Sequence, residues 1–207
     1  MKTIAVAAGE TVGVLFPIVD PIGNLPTFLG LTARHPPHAR RQTIRTVVIV
    51  GALLLIAFAA VGEPVLKYFG ISREGLQIAG GIIVAYTGFR MITASEEQVE
   101  AAAEGMSIAL SPLVVPLLAG PGAMAAIMSL DARDKSVLLA LPGIAAGVIA
   151  IFAVVYVVFT MGERISRAVP PAVIVVINLT FGLFVMAIGV ELVVHGIANH
   201  GAIVKVH

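Results

Sequence analysis

The sequence contains no cysteine, which excludes disulfides, thiolate metal sites and cysteine nucleophiles. Charge is also scarce. Only 12% of the 207 residues are Asp, Glu, Lys or Arg, against about 25% in an average soluble domain. With 58% hydrophobic residues, the composition argues against a water-soluble globule. A formal net charge of +1 gives no reason to expect a nucleic-acid partner. Catalytic signatures are missing as well: there is no His-Glu-x-x-His motif, no phosphate loop and no nucleophile–base set. Asp20 has no second membrane aspartate with which to form a proteolytic pair. Neither an enzyme activity nor a cofactor is expected.

What the chain does have is long apolar runs. A membrane helix needs about 20 mostly apolar residues, and six segments meet that test: residues 4–31, 44–61, 76–93, 106–130, 136–162 and 168–197. The second is expected to end at Gly62-Glu63-Pro64, and the fourth is interrupted by Pro112, Pro116, Gly120, Pro121 and Gly122. Lys2 is the only charged residue before the first run, and no polar stretch or small-residue cleavage site follows it. That run therefore reads as a retained helix. The expectation is an all-α polytopic membrane protein forming a single domain over residues 1–207.

The first run carries Pro17-Ile18-Val19-Asp20-Pro21-Ile22-Gly23-Asn24-Leu25-Pro26 in its middle. Proline removes a backbone donor and clashes with the turn before it. It also drives the preceding residue out of the helical region, so the helix has to break near Asp20. In hydrocarbon, freed backbone groups survive only where protein or a water-filled cavity satisfies them.

An acidic linker, 94–105, holds Glu96, Glu97, Glu100 and Glu104 and divides three helices from three. Residues 1–93 and 106–207 then share landmarks. Pro17, Pro21 and Pro26 recur as Pro112, Pro116 and Pro121, at an offset of 95. Gly62-Glu63 recurs as Gly162-Glu163, and Gly81 and Gly88 recur as Gly182 and Gly189. With three spans each, the two halves must sit in opposite orientations. This is an inverted repeat with breaks in helices 1 and 4, and paired interrupted spans point to a transporter's binding site. Orientation rests on a narrow margin, but the arginines of the first loop (Arg34, Arg40, Arg41, Arg45) favour both termini outside.

Asp20-Pro21-Ile22-Gly23-Asn24 and Pro116-Leu117-Leu118-Ala119-Gly120-Pro121-Gly122-Ala123, with Gly80-Gly81 and Val194-His195-Gly196-Ile197, resemble the signatures of the MarC family of integral membrane proteins. The resemblance covers nearly the whole chain. It implies a multi-pass protein of the prokaryotic cytoplasmic (inner) membrane and a transporter of small neutral amino acids of the glycine, alanine and serine class. Its partners would be that cargo, H⁺ or Na⁺ as coupling ion, and the lipid bilayer; a homo-oligomer is left open. An uncoupled channel or efflux protein for other small solutes is the alternative.

The residues themselves allow that chemistry. Asp20 before Pro21 is an N-cap and first-turn pair, which gives it a structural role in starting the second half-helix. A desolvated carboxylate at that place would also bind a substrate ammonium or carry a proton. H⁺ is the expected driver. Pro21, Gly23 and Asn24 in the first break, and Ala119, Gly120, Pro121 and Gly122 in the second, lie where backbone can approach a ligand. Half-helix ends there would offer amides to a carboxylate and carbonyls to a cation. Simple kinking for packing is the competing account. Glu10, about 10 Å of rise into the first helix, is a second candidate for proton exchange, with an interfacial position as the alternative. Asn178 and Thr180 read as residues that hydrogen-bond between helices, with contact to substrate as the alternative, and Gly9/Gly13 and Gly143/Gly147 as small-residue pairs at close helix contacts.

Overall fold

The computed structural model describes residues 4–33, 35–93, 118–131 and 137–204. These form α1 (Ile4–Val19), α2 (Asn24–Leu31), α3 (Pro37–Tyr68), α4 (Arg73–Thr93), α5 (Pro121–Asp131), α6 (Val137–Thr160), α7 (Gly162–Ala168) and α8 (Pro171–Val204). Four of them (α3, α4, α6 and α8) are long and apolar enough to cross a membrane. α1 and α2, bent by 60° across residues 20–23, together meet the same test. Of the expected fourth span, residues 106–117 lie outside the described residues, as does the acidic linker.

Local signals account for most helix ends. Pro37 opens α3 at a position that needs no N–H, after an extended Pro36 (ψ 155°). The Ser72 hydroxyl accepts from the Gly75 N–H at 3.0 Å and caps α4. α3 does not stop at Gly62-Glu63-Pro64 as the sequence suggested. Pro64 costs only one backbone donor close to the helix end, and α3 continues to Tyr68. It is terminated instead at Gly70, whose φ of +67° suits a residue without Cβ. There the Gly70 N–H bonds to the Lys67 carbonyl and the Ile71 N–H to the Leu66 carbonyl, the Schellman pattern.

Lipid is as apolar as leucine, so burial alone does not drive these helices together. Close packing does. α3 buries one seam (Ile44, Val47, Gly51, Leu55, Ala59, Gly62 and Leu66) at helical spacings of three and four. Its other faces expose Ile49, Val50, Leu53, Leu54 and Val61, as a lipid-facing helix does. The largest core joins α1, α2, α3, α5 and α6 through Leu15, Val19, Phe28, Val47, Leu55, Ile127, Val148, Phe152 and Phe159. Phe28 and Phe159 stack within it at 4.3 Å between ring centroids.

The tightest packing lies between α4 and α8, which run antiparallel. A methyl placed on Gly81 would lie 2.7 Å from the Gly189 carbonyl oxygen, and one on Gly189 would lie 2.7 Å from the Gly81 carbonyl oxygen. Gly88 and Gly182 face each other in the same manner: a methyl on Gly88 would lie 2.6 Å from the Gly182 carbonyl oxygen, and one on Gly182 would lie 3.1 Å from that of Gly88. The crossing is reciprocal, and each backbone fills the groove over the other's glycines. A second reciprocity involves the short helices. Gly162 packs under Leu25 and Leu29 of α2, while Gly62 packs under Met128 of α5.

The two small-residue pairs divide. Gly143 and Gly147 receive Ala7, Ala8 and Thr11 of α1, so α6 and α1 touch closely. Gly9 and Gly13 are exposed and have no neighbour within 4 Å of an added methyl among the described residues, so no close helix contact is seen there for that pair. They lie on the side of α1 turned away from Gly143 and Gly147.

Candidate functional site

The α1–α2 junction is built on the prolines. α1 accommodates Pro17 and continues to Val19, but Pro21 has no N–H to return to the Pro17 carbonyl. Asp20 takes a φ of +40°, a left-handed conformation that Asp adopts more readily than most residues. The turn is then closed locally. The Gly23 N–H donates to Asp20 Oδ1 at 3.0 Å, the Asn24 N–H to the Asp20 carbonyl at 3.0 Å, and Asn24 Nδ2 to the Val19 carbonyl at 2.9 Å. Asp20 therefore does cap the following turn, although the regular helix begins only at Asn24. Asn24 seals the last carbonyl of α1.

Asp20 is 4% exposed. One of its oxygens takes the Gly23 N–H, and no donor among the described residues reaches the other. Facing it is a residue from the far end of the chain. A methyl on Gly23 would collide with both Asp20 Oδ2 and Asn178 Oδ1, so the two side-chain oxygens share the space above that glycine. Asn178 Oδ1 is fully buried with no hydrogen-bond partner among the described residues. Phe181, one turn further along α8, packs edge-on against Phe16 of α1 at 5.5 Å and fixes this face of α8 on the junction.

From the sequence, helix packing is the favoured role of Asn178 and contact with substrate the alternative. The signal that locates it is its register. It lies four residues before Gly182, on the same face as the Gly182/Gly189 stripe that seats α8 on α4. Thr180 points elsewhere: it is exposed, and its hydroxyl donates to the Val176 carbonyl of its own helix at 2.8 Å.

The second proline-glycine segment meets the first inside the protein. Leu118, Ala119 and Ala123 share a core with Leu15 and Val19, and α5 packs on α1 and α4. Pro121 is the first residue of α5, and the Gly120 carbonyl accepts from the Met124 N–H at 3.1 Å. The space over Gly122 is filled by Val84 of α4, 2.5 Å from an added methyl. Here the glycine admits a neighbouring side chain. Glu10 is half-buried on α1, about 14 Å of helix rise before the junction, and is not brought to Asp20.

At the ends of the bundle the ionic contacts are of a different kind. Arg40 pairs with Glu163 and donates to the Thr32 carbonyl at the end of α2 at 3.2 Å, tying α2, α3 and α7 together. Glu63 pairs with Arg73 and with Lys67 at 3.0 Å.

Apolar helices with lipid-facing surfaces around a buried, half-satisfied carboxylate define a polytopic integral membrane protein with a polar junction inside it. The model of the "MarC family integral membrane protein" matches residues 6–200, and the chain belongs to that family. It is 32% identical to a UPF0056 membrane protein of Methanocaldococcus jannaschii, covering 88% of this chain and 92% of the relative. It is 32% identical to the UPF0056 membrane protein YhcE of Escherichia coli (strain K12), with 88% of each chain covered. It is 31% identical to the UPF0056 inner membrane protein MarC of Citrobacter koseri, covering 95% and 96%. No solved structure matches the chain.

Proposed function

We propose that this protein is a secondary carrier of small neutral amino acids of the glycine, alanine and serine class, working by alternating access in a prokaryotic inner membrane and driven by H⁺. The observation that carries this reading is the buried Asp20 carboxylate at the bend between α1 and α2, with one oxygen free of protein donors among the described residues. Intramembrane acids are costly, and they mark ion and substrate pathways. Two broken spans of an inverted repeat would meet around that carboxylate. The reciprocal crossing supports the repeat, because shifting Gly81 and Gly88 onto Gly182 and Gly189 exchanges the two contacts with each other. So does the exchange of Gly62–α5 packing for Gly162–α2 packing. One half would rock against the other and expose the junction to each side in turn.

Reconstitution in liposomes tests the proposal. Alanine or glycine uptake should saturate and should follow an imposed pH gradient. Asp20→Asn should abolish the gradient dependence. Non-saturable uptake would favour a channel, and undiminished coupling in Asp20→Asn would remove the carboxylate from the mechanism.

A further inference from the structure

Between Val173 and Val190, α8 offers two polar side chains, Asn178 and Thr180, in an otherwise apolar and glycine sequence. Thr180 satisfies itself on its own backbone. Asn178 does not: its Oδ1 is buried without a partner among the described residues and turned to the space above Gly23, where Asp20 Oδ2 also points. Two acceptors facing each other in a low-dielectric interior repel, and an unmade hydrogen bond there is expensive. A donor held between them reconciles them: the proton that Asp20 itself would carry when the site is empty, or the N–H groups of a bound cation. A primary ammonium presents three N–H donors on one small centre, and Asp20 supplies the countercharge.

We propose that Asn178 is a ligand-binding residue, and that Asn178 Oδ1 and Asp20 Oδ2 together form an acceptor for a primary ammonium group at the α1–α2 junction. The inference rests on the carrier reading and deepens it, by naming the side chain from the last helix that recognises the amino end of the cargo. Gly23 is part of the device, since any side chain there would occupy the ammonium's place. Because Asn178 sits on the helix that crosses α4 backbone to backbone, cargo bound to it bridges the first span of the chain and the last.

The test uses purified full-length protein in detergent and thermal stabilisation by alanine, by ethylamine (the amino end alone), by propionate (the carboxylate end alone), and by sodium chloride against potassium chloride. Alanine and ethylamine should stabilise the wild type. Asn178→Leu should weaken both in parallel, by about ten- to a hundredfold, as loss of a charge-assisted hydrogen bond does. Propionate should be unaffected, and Asn178→Asp, which keeps an oxygen in place, should retain the ammonium ligands. If Asn178→Leu is not recovered as monodisperse protein, Asn178→Ala carries the same expectation.

Failure of ethylamine to stabilise the wild type would overturn the inference outright. So would sodium-specific stabilisation that Asn178→Leu removes while ethylamine has no effect, because the pair would then be a sodium site. Turned over, the same amide would donate Nδ2–H to Asp20 and serve only to join two helices. In that case Asn178→Leu would lower the melting temperature of the ligand-free protein and leave alanine affinity unchanged, overturning the acceptor while the carrier reading stands. Asn178-dependent binding of ethylamine without any binding of alanine would do the reverse.

Discussion

Replacing Gly189 by alanine tests what holds this bundle together. The added methyl would lie 2.2 Å from the Ala85 N and 2.7 Å from both the Ala85 Cα and the Gly81 carbonyl oxygen. All three are backbone atoms of α4, so no side chain can swing aside. Bringing the closest of those contacts to ordinary van der Waals separation moves α8 away from α4 by about 1.2 Å at the crossing, and a gap of that size forfeits about half of the local dispersion energy. Overpacking of this kind costs about 1–3 kcal/mol, and no hydrophobic term offsets it, because the separated surfaces face lipid. Unfolding in mixed micelles of increasing denaturing-detergent content gives the measurement. Gly81→Ala should cost a similar amount, and the double variant should cost less than the sum, since one displacement relieves both clashes. Gly9→Ala and Gly13→Ala are the controls: nothing among the described residues lies within 4 Å of either added methyl, and alanine is the better helix former by about 1 kcal/mol. If Gly189→Ala proved as harmless as Gly9→Ala, close backbone packing would not be the force that joins α4 to α8.

Three further outcomes follow from the site and its supports. Gly23→Ala should abolish saturable uptake in liposomes, because its methyl falls on Asp20 Oδ2 and Asn178 Oδ1; wild-type uptake in that variant would remove the junction from the transport path. Asp20→Asn should abolish pH-gradient-driven alanine uptake into liposomes, because the variant keeps neither the proton carrier nor the countercharge for the ammonium. Glu163→Gln should change stability by no more than about 1 kcal/mol, since its side chain is 60% exposed and surface ion pairs are worth little. Arg40→Gln should cost more, because it also withdraws the donor from the Thr32 carbonyl at the end of α2, and added salt should not erase the difference.

Much of the fold is legible in the residues, for reasons that differ from place to place. The break at Asp20 follows from Pro21, which denies α1 a hydrogen bond regardless of the surroundings. The starts of α3 and α4 follow from Pro37 and Ser72 in the same local way. The end of α3 was misplaced because Gly62-Glu63-Pro64 looks like a terminator along the chain. In space, Gly62 is the seat for Met128 of α5, and the chain is stopped eight residues later at Gly70. Gly9/Gly13 and Gly143/Gly147 have the same spacing, yet among the described residues only the second pair meets a neighbour, because spacing says which residues share a face and not what that face is turned toward.

The sequence by itself determined that this chain spans a membrane, that its first apolar run breaks at a carboxylate, and which family it joins. These depend on composition, on proline's missing N–H and on local motifs. Only the tertiary structure decided that Asn178 meets Asp20, residues separated by nearly the whole chain, and that α4 and α8 cross backbone to backbone. An apolar helix in lipid carries almost no pattern separating its protein face from its lipid face, so the choice of neighbour is made by the fit of one surface into another.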